Sequence, residues 1–126
     1  MPATQNVVLS KGYDAGAAVT KKRFVKLSGE QQVVQCSVAG ELALGVSLFS
    51  VSAAEILKGK GVSVLEMGRA IVEAGAAIAV GAKVATDNQG RAVTSGAGNT
   101  VLGICEKGAS GAGAECTVRL TSMAIQ

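Results

Sequence analysis

The sequence predicts a mainly β fold: a small single-domain β-barrel or sandwich of about eight short strands, with one short helix and an extended N-terminal arm. Three observations carry this. The chain has 126 residues, near the modal size of one domain, so two separate domains would each be too small for their own core. Its 17 glycines are about twice the usual share of roughly 7%, a density that suits tight turns and short strands better than long helices. Its apolar content is Ala and Val, 21 and 17 residues, against two Phe, one Tyr and no Trp. Such side chains bury little area each, so one copy has a modest core and association is expected to add burial.

Residues 1–18 show little periodicity beyond the short Val7-Val8-Leu9 run and read as the arm, with at most one short strand; residues 19–126 form the β-rich domain. Val19 to Leu27 and Gln31 to Ser37 are strand candidates separated by the turn Ser28-Gly29-Glu30. Leu42 to Val51 is a third. Ser52 and Glu55 have capping-box spacing and Gly59 is a natural stop, which predicts a helix of one or two turns between them. Gly61 to Met67 alternates, and Arg69 to Ala74 reads as a separate strand after Gly68. Lys83 to Thr94 is a hairpin around Asp87-Asn88-Gln89-Gly90, with Gly90 free to take the left-handed conformation. Val101 to Lys107 and Glu115 to Thr121 complete the set, joined by the flexible glycine-rich stretch 108–113. Ala43-Leu44-Gly45-Val46 echoes Val101-Leu102-Gly103-Ile104. The echo fits either a duplication or two similar strands meeting one barrel, and the second reading is favoured.

The net charge of +3 is concentrated: Lys11, Lys21, Lys22, Arg23 and Lys26 oppose only Asp14 and Glu30 in the first thirty residues, and the rest of the chain is neutral. A basic segment without aromatic interleaving argues against nucleic acid and for an acidic protein surface. The three cysteines Cys36, Cys105 and Cys116 form no CxxC pair and leave one unpaired in any disulfide scheme, as buried thiols in a reducing compartment would. No charged, hydrophobic start of the secretory kind is present, and the most apolar stretch, residues 70–82, is too short to span a membrane. A soluble protein made in a cytoplasm, with no membrane partner, is the expectation.

Catalytic chemistry finds few groups. The chain has no His, the commonest general base and metal ligand. Ser10-Lys11 lies in the loose arm. Gly59-Lys60-Gly61 lacks the earlier glycine and the following Ser or Thr of a phosphate loop, and residues 108–113 precede a strand instead of opening a helix. The carboxylates are scattered singly. No catalytic residue, cofactor or metal site is expected. Gly12-Tyr13-Asp14-Ala15 resembles the first motif of trimeric dUTPases, but the later motifs of those enzymes have no match here and Tyr13 is the only tyrosine.

A broader resemblance covers residues 19–121. Gly61-Val62-Ser63-Val64-Leu65, Arg69-Ala70-Ile71-Val72, Ala79 to Val84, Asp87 to Val93, Leu102-Gly103-Ile104 and Thr117-Val118-Arg119-Leu120 together resemble the tailed-phage head decoration proteins, or capsid cement proteins. The resemblance implies a structural virion protein, made in the bacterial host cytoplasm, that binds the outer surface of the expanded capsid and bridges major capsid subunits. It implies a homo-oligomer, with a trimer favoured over a dimer. Another β-type virion component of tail or baseplate is the alternative, with a trimeric dUTPase-like enzyme ranked third. Within that reading Gln5, Asn6, Val7, Val8 and Leu9 are expected to add a strand to a sheet edge of the capsid or of a neighbouring copy. Tyr13 is expected to anchor the arm or to serve as a local turn residue, and Lys21, Lys22 and Arg23 are expected to face an acidic shell surface.

Overall fold

The computed structural model describes residues 3–125. Among the described residues the fold is mainly β: nine strands in one sheet and a single short helix. The strands are β1 (Asn6–Ala15), β2 (Phe24–Gly29), β3 (Gln32–Gln35), β4 (Gly45–Ser47), β5 (Val62–Glu73), β6 (Lys83–Thr86), β7 (Ala92–Thr94), β8 (Thr100–Lys107) and β9 (Glu115–Ile125), with α1 (Ala53–Leu57) between β4 and β5. The helix is capped as its sequence requires: the Ser52 hydroxyl accepts from the Glu55 N–H, the Glu55 carboxylate accepts from the Ser52 N–H, and Gly59 follows at φ +87°. The β6–β7 hairpin closes through Asp87, whose carboxylate accepts from the N–H groups of Gln89 and Arg91, and Gly90 takes φ +77°.

Two elements differ from expectation. Residues 6–15 of the arm are a ten-residue strand of the sheet, paired along β5 from Asn6↔Arg69 to Tyr13↔Val62. The two runs on either side of Gly68 are one strand, β5. Gly68 does not end it, because at φ +119° it lets the Asn6 carbonyl approach where any Cβ would collide.

The sheet runs β1-β3-β2-β4-β5-β9-β8-β6-β7, and the additional β1–β5 pairing closes the first five strands on themselves. A second circuit repeats the first. Ala15 meets Val33 in parallel, and Ala74 meets Ala92 in parallel. Val19 bridges Val51 as Ile78 bridges Ala109. Phe24↔Val46 and Val25↔Gly45 match Lys83↔Ile104 and Val84↔Gly103. Val46↔Leu65 and Ser47↔Val64 match Ile104↔Arg119 and Cys105↔Val118. Even the left-handed positions coincide: Lys22 with Gly81, Gln31 with Gly90, Gly40 with Gly98. The sequence keeps one clear trace, Asp14-Ala15-Gly16-Ala17-Ala18-Val19 against Glu73-Ala74-Gly75-Ala76-Ala77-Ile78. The echo at residues 43–46 and 101–104 therefore falls at equivalent places of a repeated strand plan. β5 serves both halves, its first part in one circuit and its last part in the other.

The buried residues form two clusters. The smaller, with Val25, Val33, Val51 and Val64, lies within the first half. The larger is built on the second half, with Leu102, Val84 and Val118, and also takes Phe24 and Val46 from the first. The duplication yields a stability test. Gln31 stands at φ +55° where its counterpart is glycine, and its exposed side chain makes no hydrogen bond among the described residues. A left-handed non-glycine residue costs about 1–2 kcal/mol, partly offset by the extra unfolded-state entropy of glycine. Gln31→Gly is therefore expected to stabilise the fold by about 0.5–1 kcal/mol in urea titration. A loss of stability would count against the repeat's backbone equivalence.

Candidate functional site

β1 is set apart by exposure: residues 6–12 are all exposed, including Val7, Val8 and Leu9. One edge of the strand pairs with β5; on the other, only Asp14 and Ala15 meet β3. Among the described residues, the outer edge from Asn6 to Tyr13 has no strand partner. Two bulges shape it. Val8 has no opposite residue between Val7↔Gly68 and Leu9↔Met67, and Glu66 has none between Leu9↔Met67 and Ser10↔Leu65. Both ends are tied down. The Thr4 N–H donates to Thr117 Oγ1, which donates in turn to the Thr4 carbonyl, and the Gly16 N–H donates to the Val33 carbonyl.

The bulged Glu66 gives Tyr13 its place. The Tyr13 hydroxyl donates to Glu66 Oε1 at 2.5 Å, and Lys11 Nζ lies 5.0 Å over the ring. The hydrogen bond to that carboxylate, with burial and its negative charge, pushes the phenol up to about 12, so it stays a donor at neutral pH. Beside Val8 runs a groove of about 580 Å³ whose walls include Met67, Arg69, Arg119 and Leu120. It pairs apolar surface with two arginines facing each other in register.

The structure separates the nine residues singled out from the sequence. Gln5 is exposed just before β1, Asn6, Val7, Val8 and Leu9 are exposed at its start, and Tyr13 lies toward its far end. The basic triplet is divided. Lys22 pairs with Glu115, and Arg23 holds both oxygens of Glu73 at 3.2 Å while its Nη1 donates to the Gln89 carbonyl. With the Phe24 N–H donating to the Gly90 carbonyl, these contacts fasten the first half to the second. Among the described residues only Lys21 of the three has no carboxylate within ion-pair distance. Phe49 and Leu57 are both exposed, and no local signal marks them, because each lies in a run with the pattern of a strand or helix interior.

Reactive chemistry is muted. Burial pushes the Cys36 and Cys116 thiols up to about 12 and raises Cys105 as well, so thiolates are scarce at neutral pH. Among the described residues no three His, Cys, Asp or Glu side chains gather where a metal ion would sit. The arrangement suits contact with another surface: a fixed, apolar strand edge on a duplicated scaffold.

Comparison with known proteins agrees in kind. The family model described as phage cement protein matches residues 3–120. No curated protein matches the chain. Among solved structures, the head fiber gp8.5 N base of bacteriophage phi29 aligns with a TM-score of 0.68 at 22% identity, covering 90% of this chain and 93% of that one. At that identity the likeness is one of fold.

Proposed function

This chain belongs to the phage cement protein family, and from that premise we propose that it binds the outer surface of the expanded phage head and bridges neighbouring major capsid subunits. It is a phage virion structural protein. The observation that carries the finer reading is the β1 edge: eight residues tied at both ends, unpartnered along one side and bearing Val7, Val8 and Leu9. An exposed apolar edge of that length is a template for strand addition, from the shell or from a neighbouring copy in a trimer. A protein that binds only the expanded shell stabilises it by mass action, and many copies make modest single interfaces sufficient. The similarity in fold to a head fiber base supports a place on the head over one on the tail.

Co-sedimentation with purified heads lacking the protein tests this. Saturable binding to expanded heads, with none to unexpanded precursors, is the expected result. Val8→Lys and Leu9→Lys together, both on exposed positions, are expected to weaken binding at least 10-fold while leaving thermal unfolding unchanged, because edge lysines oppose strand pairing. Binding to neither head form, with the protein recovered on tails, would replace the reading. Undiminished binding by the double variant would remove the edge from it.

A further inference from the structure

The two halves share one strand plan, so the places where they diverge show what each half carries in addition. After the Val51 bridge the first half makes a longer excursion, through α1, before it returns as β5; after the Ala109 bridge the second half has only the turn at residues 110–113 before β9. The excursion carries apolar surface outward. Leu57 is 89% exposed and Phe49, just before it, 62%. The chain has only two phenylalanines, and the other, Phe24, is fully buried. At the positions equivalent to Phe49 and Lys21 the second half has Lys107 and Val80. The repeat therefore does not require an aromatic there.

Phe49 lines a groove of about 590 Å³ with Lys21, Ser50, Lys60, Gly61 and Ser63. Its charged lining residues are both cationic. The Lys21 N–H donates to Ser50 Oγ at 2.9 Å, which joins the two walls, and the Lys21 ammonium has no ion-pair partner among the described residues. Lys60 reaches Glu55 on α1, and Lys58 beside it is exposed. Two lysines around a single exposed aromatic are complementary to a carboxylate-bearing apolar segment. They are too sparse for a nucleic-acid track, which needs a line of cations and several stacking rings.

We propose that this groove docks an acidic segment of a partner protein, with Phe49 as the buried anchor and Lys21 and Lys60 on its carboxylates. The inference rests on the head-binding reading and names the first half of the chain as the half that meets the shell protein. Aromatic anchors in a desolvated pocket dominate such contacts, and flanking charges set rate and register.

The test uses the full chain and expanded heads lacking it. Phe49→Ala is expected to bind about 30-fold more weakly. Lys21→Glu with Lys60→Glu should lose binding at least as far and lose the salt dependence shown by the unaltered protein. The equivalent pair in the second half, Val80→Ser with Lys107→Ser, should bind like the unaltered chain, and all variants should melt alike. Unchanged binding by both groove variants overturns the inference while the head-binding reading stands. Failure of the unaltered chain to bind heads overturns both. Binding of a single-stranded oligonucleotide that Phe49→Ala abolishes would overturn it in favour of nucleic acid.

Discussion

Replacing Phe24 with alanine is expected to cost about 4 kcal/mol of folding stability, within the range of about 3–5 kcal/mol for deleting a buried Phe side chain. Phe24 is fully buried and is the largest of the fully buried side chains. Its place in the repeat explains why it is aromatic. Val25 and its counterpart Val84 are buried in the clusters of their respective halves, whereas Phe24 and its counterpart Lys83 are their immediate neighbours in β2 and β6. In the first half, that next position packs into the core of the second half; in the second half it is exposed. One position is therefore a bolt between halves and the other a solvated lysine. The same residue is held by backbone bonds from both sides, its N–H donating to the Gly90 carbonyl and its carbonyl accepting from the Cys36 N–H. Thermal unfolding should fall by roughly 15 °C and remain one transition, since the larger cluster spans both halves. A loss below about 1 kcal/mol in urea titration would mean that the halves are held by something other than this side chain.

What the residues disclose before folding is local chemistry. Ser52 with Glu55, and Asp87 with Gly90, specify a capped helix and a hairpin through bonds that reach only a few residues, and both stand in the structure as read. β1 was harder to see because both of its faces are exposed along residues 6–12, so no alternation of apolar and polar residues marks it as a strand. Its partner β5 was hidden in turn by Gly68, a residue that usually signals a break and here makes room for the Asn6 carbonyl. The duplication is nearly silent because strands need only a pattern, not particular residues. Its best trace, Ala15-Gly16-Ala17-Ala18 against Ala74-Gly75-Ala76-Ala77, falls where the chain leaves one strand for the next. Lys22 and Gln31 mask two of its glycine positions by tolerating a left-handed backbone. For the candidate surface, the sequence located the exposed strand residues but not the fate of the charges: the carboxylates that claim Lys22 and Arg23, Glu115 and Glu73, are supplied by β9 and β5.

Gly45→Ala and Gly103→Ala should each destabilise the fold by about 3 kcal/mol, the upper end for overpacking a tight interior, because the group in the way is backbone and cannot swing aside. At Gly45 a Cβ would run into the Leu65 carbonyl and stand 2.9 Å from Val64 Cγ1; at Gly103 it would run into the Arg119 carbonyl and stand 2.7 Å from Val118 Cγ1. Both glycines are buried, each opposite the strand its half places next to it, β5 for β4 and β9 for β8. The obstacle is thus the same in kind twice, a carbonyl and a valine methyl of a crossing partner strand. That sameness is the content of the prediction: the two substitutions should cost nearly equal amounts, although their neighbours differ in sequence and charge. Gly12→Ala, where a Cβ meets nothing within 4 Å, supplies the control and should change stability by less than about 0.5 kcal/mol. Urea titration of the three variants decides it. A severe loss at one glycine and tolerance at the other would show that the duplicated halves no longer share this close approach, and that register alone, not packing, is what the repeat has kept.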